Sequence, residues 1–301
     1  MVRFFCFKQA TEKQQKIFVT YLTMNYFNCN DKVLKEGALV VGADNRGLRY
    51  GDGLFETIKM IKGKLILEDE HFARLWKGMQ TLQFEISKHF TPDKLKEEIE
   101  LLAKKNNHTS ARIRLNIYRG DGGLYDAKNH TPNYIIQTWL LPEGNGMWNS
   151  NGLVVGIYED VKKTCDIISN IKHNNYLPYV LAALKAKKEK WNDAIILNTM
   201  GNICDSTIAN IFIIKDGIIS TPSLKEGCVA GIMRKKIIQE LAATHFELIE
   251  KEITKDELIS ADEVFFTNSM YNIRWVQRIE NKEYVTTITK KIYAVILPTI
   301  C

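Results

Sequence analysis

Between residues 54 and 141 the apolar residues change period repeatedly, and that switching confines the chain to folds that stack helices on a sheet. Leu54, Glu56 and Ile58 alternate with Phe55, Thr57 and Lys59, and Lys62-Gly63 supplies a turn, so 54–67 reads as a β-hairpin. From 69 to 84 the repeat lengthens, and Phe72, Leu75, Trp76, Met79 and Leu82 fall on one helical face. A second helix opens at Thr91-Pro92, an N-cap followed by proline at the first helical position, and buries Leu95, Ile99, Leu102 and Ala103. The two-residue period returns over 111–119 and 133–141, two strands joined by a glycine-rich loop at 120–123.

Residues 142–152 gather turn formers and lose all periodicity, which marks a linker. Beyond it the alternation resumes. Strands are predicted at 153–158 and 194–197, a helix at 177–190, and a hairpin over Asp216-Gly217. Helices follow from about Gly231 and Thr254, with a strand at 263–267. The expectation is an α+β chain in two domains, 24–141 and 153–301, with a site in the cleft between them. Residues 1–23 read as an N-terminal extension, with the domain pattern starting near Met24.

Charge and cysteine usage exclude several classes. The 301 residues carry a formal net charge of +6, with lysines spread over helix faces rather than interleaved with aromatics, so no nucleic-acid surface is expected. The short apolar run at 2–7 is broken by the polar run 8–16, which argues against a signal segment or a membrane span. Six scattered cysteines form no C-x-x-C, and no histidine pair has zinc-ligand spacing. Reduced thiols in a cytoplasmic, metal-free protein are expected.

Three elements between 170 and 234 carry chemistry. Lys172 lies at a strand-to-helix junction; it is either one more surface lysine or an amine held where burial favours its neutral form. Asp205 either caps a turn or supplies a carboxylate to a protonated ring nitrogen. Gly231 opens a helix whose first amides, at Ile232 and Met233, would face an anion, and Asn268-Ser269 adds an amide and a hydroxyl. Arg74 lies off its helix's apolar stripe, either as an ordinary exposed arginine or as the cation for that anion. Arg112 and Arg114, two apart on a strand, share a face that is either solvent or a seat for one or two carboxylates.

Taken in order, these segments resemble the class IV, or fold-type IV, aminotransferase family of pyridoxal 5′-phosphate enzymes. The family includes branched-chain and D-amino-acid aminotransferases and aminodeoxychorismate lyases. The likeness runs from about Met24 to the end, through 46–56, His71-Phe72-Ala73-Arg74-Leu75, Lys172, 205–212, 231–234 and 261–269. It implies a smaller N-terminal α/β domain, a larger C-terminal pseudo-barrel domain, and a homodimer acting on amino-acid and keto-acid substrates.

It also implies roles. Lys172 matches the lysine that joins the cofactor aldehyde and then carries the proton. Arg74, Ile232, Met233, Asn268 and Ser269 match the phosphate cup. Tyr176 matches a tyrosine on the phenolic oxygen, one residue nearer the lysine than in the branched-chain type. Tyr50, Phe55, Arg112 and Arg114 match substrate-side positions, Arg114 standing where the lyase has lysine. Asp205 stands where glutamate is usual, so its carboxylate is expected to reach the ring through a small shift or a water. Leu124 replaces an arginine of the lyase branch, while His173-Asn174-Asn175 looks closer to that branch. The resemblance points first to an aminotransferase, then to a lyase releasing pyruvate, and last to a non-catalytic binding protein of the same fold. The loop after Arg119 is the element expected to reach the cleft or a partner.

Overall fold

The computed structural model describes residues 26–300; the extension read at 1–23 lies outside the described residues. Six strands come first: β1 (Tyr26–Cys29), β2 (Lys32–Lys35), β3 (Gly53–Ile61), β4 (Lys64–Leu65), β5 (Ala111–Arg119) and β6 (Pro132–Leu140). They form one antiparallel sheet in the order β2-β1-β6-β5-β3-β4. Lys62 and Gly63 join β3 to β4 with φ of 48° and 79°, the left-handed pair that a primed hairpin turn requires.

Two helices, α2 (Glu68–Thr81) and α3 (Pro92–Lys105), cover one face of this sheet; a short α1 (Arg46–Tyr50) precedes them. Thr91 Oγ1 accepts the Lys94 amide at 3.2 Å, as the Thr-Pro start predicts. Leu54, Ile58, Ile113 and Leu115 meet Leu75, Met79, Leu95 and Ile99 in the core. The other face carries Phe55, Thr57, Arg112, Arg114 and Trp139, brought side by side by the pairings Thr57↔Arg114 and Arg112↔Trp139.

The second sheet uses β7 (Leu153–Lys163), β8 (Asp193–Asn198), β9 (Ile203–Ser206), β10 (Asn210–Lys215), β11 (Ile218–Pro222), β12 (Leu248–Lys251), β13 (Glu263–Asn268), β14 (Asn272–Ile279) and β15 (Lys282–Glu283). Its order is β12-β11-β10-β13-β14-β7-β8-β9, with β15 on β14. Strand β9 also lies against β10, so the sheet curls back on itself. Both faces are buried. Ile211, Ile213, Val264 and Phe266 fill the inside, while Phe212, Ile214 and Phe265 pack outward on α5 (Ile232–Ala242) and α7 (Thr287–Ile296). A remaining long helix, α4 (Leu177–Glu189), lays Ala182 and Ala186 on Ala194 and Ile196 of β8, and α6 (Lys255–Ser260) caps the curl.

The two sheets are joined by more than the chain. Phe55 donates its amide to the Lys172 carbonyl at 2.9 Å, Asn174 donates to Gly53 at 2.9 Å, and Leu54 bridges His173. No helix among the described residues is long and apolar enough to cross a membrane. Leu75 has no exposed surface beneath β3, so Leu75→Ala should lower the unfolding free energy by about 2–5 kcal/mol in urea titration. A loss under about 1 kcal/mol would contradict this packing.

Candidate active site

A cavity of about 870 Å³ opens between the sheets, and Lys172 lines it. Its Nζ sits 4.5 Å from the centre of the Phe55 ring. Burial and the nearby Arg74 guanidinium pull the amine down to about 8, against the smaller opposing pull of Glu56 and Asp205. Of the two readings of this lysine, the structure supports the buried amine.

Arg74 reaches the cavity from α2 and is held from behind. Its Nε and Nη2 donate to the Glu56 carboxylate at 2.8 and 2.6 Å, and its Nη1 donates to the Ala230 carbonyl at 2.9 Å. A guanidinium has five N–H donors, so two are left over. Glu56 also meets His71 Nδ1 at 2.7 Å. Burial would raise the Glu56 carboxyl, but Arg74 and His71 outweigh it and hold it at about 2. Beside it, Gly231 is the N-cap of α5 and no side chain caps it, leaving the first amides of the helix open. A Cβ on Gly231 would stand 1.9 Å from Asn210 Oδ1, so only glycine fits this close approach. Ile232, Met233, Asn268 and Ser269 line the same wall.

Asp205 is 2% exposed, and its partners are more numerous than expected. Oδ2 accepts from Lys163 Nζ at 3.0 Å, Tyr179 Oη at 2.9 Å and the Val229 amide at 2.9 Å; Oδ1 accepts from Asn210 Nδ2 at 2.9 Å. Burial works against the Lys163 ammonium, but Asp205 outweighs it and raises its pKa. The carboxylate thus arrives at the cavity already paired with a buried cation. One Oδ1 lone pair is left.

On the substrate side, Arg114 lies 3.9 Å over the Phe55 ring and donates to Tyr176 Oη at 3.0 Å. Arg112, itself exposed, lies 5.2 Å over Trp139 and lines the same cavity, so the face that the two arginines share is the cavity wall. Tyr50 does not line this cavity within the chain: it ends α1 with Arg46 and Arg49 each 5.0 Å from its ring and Tyr125 at 5.8 Å. The loop after Arg119 is also not part of the cavity wall in this chain. Arg46 Nη1 donates to the Gly122 carbonyl at 3.2 Å and to the Leu124 carbonyl, folding the loop onto α1.

Sequence reasoning missed Glu56, Lys163, Tyr179, Asn210 and Arg274. Glu56 had a signal: it shares the alternating face of Leu54 and Ile58, where an apolar residue belongs. Asn210 lies in the 205–212 segment, five residues from the Asp205 it bonds, while Lys163, Tyr179 and Arg274 are brought in by tertiary packing.

Solved structures share this architecture. The branched-chain amino acid aminotransferase of Escherichia coli superposes with a TM-score of 0.79 at 24% identity, covering 90% of this chain and 92% of that one. A putative 4-amino-4-deoxychorismate lyase from Legionella pneumophila gives 0.79 at 24%, covering 87% and 96%. Among curated proteins, a putative branched-chain-amino-acid aminotransferase of Methanocaldococcus jannaschii is 30% identical over 270 residues, 87% of this chain and 92% of that protein. The aminodeoxychorismate lyase of Vibrio harveyi is 29% identical over 245 residues, 79% and 87%. The family model for class IV amino-transferases matches residues 53–279, and the chain belongs to that family.

Class IV aminotransferases and their lyase relatives are pyridoxal 5′-phosphate enzymes, and the cavity fits that group. It offers a buried amine of lowered pKa, an uncapped helix start beside a guanidinium with donors to spare, and a buried carboxylate. The buried Thr267 Oγ1 on its wall has no hydrogen-bond partner.

The Lys163–Asp205 pair can be checked by stability. Lys163→Met strands a buried carboxylate and should cost about 3–5 kcal/mol in chemical denaturation, with Lys163→Arg recovering part of it. A cost below about 1 kcal/mol would mean the pair is not buried in solution.

Proposed function

We propose that the chain is an aminotransferase that moves an amino group between an amino acid, of branched-chain or D type, and a 2-keto acid. The observation that carries this reading is Lys172: a buried amine at about 8, over Phe55, in a cavity whose opposite wall holds the Asp205 carboxylate. When bound, pyridoxal phosphate supplies an aldehyde that takes up the amine and a cationic ring that accepts the electron pair of the broken bond.

The protein's residues do the rest. Lys172 would hold the aldehyde in the resting enzyme, and its amine, once freed by an incoming substrate amine, would serve as the general base for the α-proton. Arg74 with the Ile232 and Met233 amides would hold the phosphate, with Ser269 and Asn268 completing that cup. The free lone pair of Asp205 Oδ1 would accept from a protonated ring nitrogen. Tyr176, whose hydroxyl accepts from Arg114, would meet the phenolic oxygen. Phe55 gives Lys172 an apolar floor on which it can be neutral.

A lyase is the second reading, favoured by the three guanidiniums, Arg112, Arg114 and Arg274, in one cavity. Pyruvate released from aminodeoxychorismate with no keto acid present would select the lyase; amino transfer to 2-oxoglutarate would select the transferase. The four cysteines among the described residues are unpaired, which agrees with a cytoplasmic enzyme.

Lys172 makes a pH prediction. Its pKa falls from 10.5 to about 8, so the neutral amine becomes the major form as pH rises through 8. Cofactor capture by apoprotein should therefore rise ~10-fold per pH unit below 8 and level above it, followed by absorbance. A rate still climbing toward 10.5 would show an unperturbed lysine. Lys172→Ala should abolish both turnover and borohydride-trapped cofactor.

A homodimer is proposed from α4. Leu177, Val180, Leu181 and Leu184 are 67%, 42%, 43% and 59% exposed at helical spacing, an apolar stripe with no partner in this chain. Light scattering should give twice 34.6 kDa, and Leu181→Lys should shift the mass toward one copy. A wild-type monomer at micromolar concentration would remove the proposal.

A further inference from the structure

Among the described residues, Arg46, Arg49, Arg74, Arg119 and Arg234 each hold a carboxylate. Arg112, Arg114, Arg274 and Arg278 form no such ion pair; Arg278 donates to the Glu280 carbonyl away from the site, and the other three line the cavity. Arg114 is engaged at the inner end, by Tyr176 and by the Phe55 ring that also floors Lys172. Arg112 stands two residues farther along β5, roughly 7 Å outward. Its guanidinium lies over the Trp139 ring at 5.2 Å. Arg274 comes from β14 in the other sheet and rests 3.7 Å over the Tyr271 ring.

Two guanidiniums from different sheets therefore line one cavity, each over an aromatic ring and neither in an ion pair. Stacking fixes a guanidinium plane while leaving its in-plane N–H donors free for a planar anion. The wall has two carboxylates. Asp205 is committed to Lys163, and Glu143 is exposed on the 142–147 loop without an ion pair to either arginine. Gathering like charges in a partly enclosed space is unfavourable until an anion enters.

We propose that Arg112 and Arg274 form an outer anion subsite, holding a second carboxylate of the substrate remote from the reacting amine. The substrate class is then an amino dicarboxylate, with the second acid group several carbons beyond the amino carbon. This rests on the reading of the cavity as the reaction site, and it assigns Arg112 and Arg274 a role in specificity rather than in proton transfer.

The test separates the two readings. Adipate and hexanoate differ by one terminal carboxylate, and neither can react. Each is titrated into cofactor-loaded protein by calorimetry. Adipate should bind at least ~10-fold more tightly, and Arg112→Gln or Arg274→Gln should bring the ratio to within about threefold while retaining the visible cofactor band. Equal binding of the two acids overturns the subsite. So does a preference that survives both substitutions. In turnover, KM for 2-aminoadipate should lie ~10-fold below that for norleucine, tested as both enantiomers, and equal KM values would overturn the substrate class. If adipate is preferred but no amino acid changes the cofactor band, the aminotransferase reading fails and the subsite stands.

Discussion

The geometry of the cavity depends on a few backbone hydrogen bonds, those between β3 and residues 172–174. Through them the segment that carries Lys172 becomes a short extra strand at the start of β3. The Lys172 backbone is therefore tied to Phe55, whose own amide holds the Lys172 carbonyl. From the same strand, Glu56 turns to the opposite side and grips Arg74. Two consecutive residues of β3 thus set the lysine's floor and the arginine's anchor, one on each face, because alternation along a strand leaves no other arrangement.

The electrostatics follow a similar economy of parts. Lys172 is disfavoured as a cation by burial and by Arg74, while Glu56 keeps Arg74 itself in place. A carboxylate behind the arginine thus lets a guanidinium stand near an amine that must be neutral to react. The Asp205 side of the cavity is built in reverse: the buried carboxylate is matched by Lys163, and Tyr179, Asn210 and the Val229 amide occupy all but one of its remaining directions. Each wall is internally balanced before any ligand arrives, except for the three arginines on the substrate side.

What was legible in the sequence follows from what is local. The 54–67 hairpin, the Thr91 cap, the strand at 111–119 and the start of α5 at Gly231 are written in periodicity, turn residues and caps, and the structure has each of them. Strands β1, β2, β9, β12, β14 and β15 and the helices α1 and α7 left weaker traces, since several are only two to five residues long. In the site, Lys172, Arg74 and Asp205 stand out in the sequence because each lies in a contiguous motif. Tyr50 stays off the cavity wall because the left-handed turn at Gly51 ends α1 and separates the ring from β3. Lys163 and Arg274 were invisible for the complementary reason. Their partners lie on other strands, and nothing in their neighbours distinguishes them from surface cations.

The crowding around Asp205 also limits the routes by which this site could have arisen. A glutamate there is one methylene longer, and its carboxyl would push into space held by Lys163, Tyr179 and the Val229 amide. Conversely, an aspartate without Lys163 would leave a buried charge unmatched. The two positions are therefore epistatic. A change at either position alone leaves the other's charge or space unmatched.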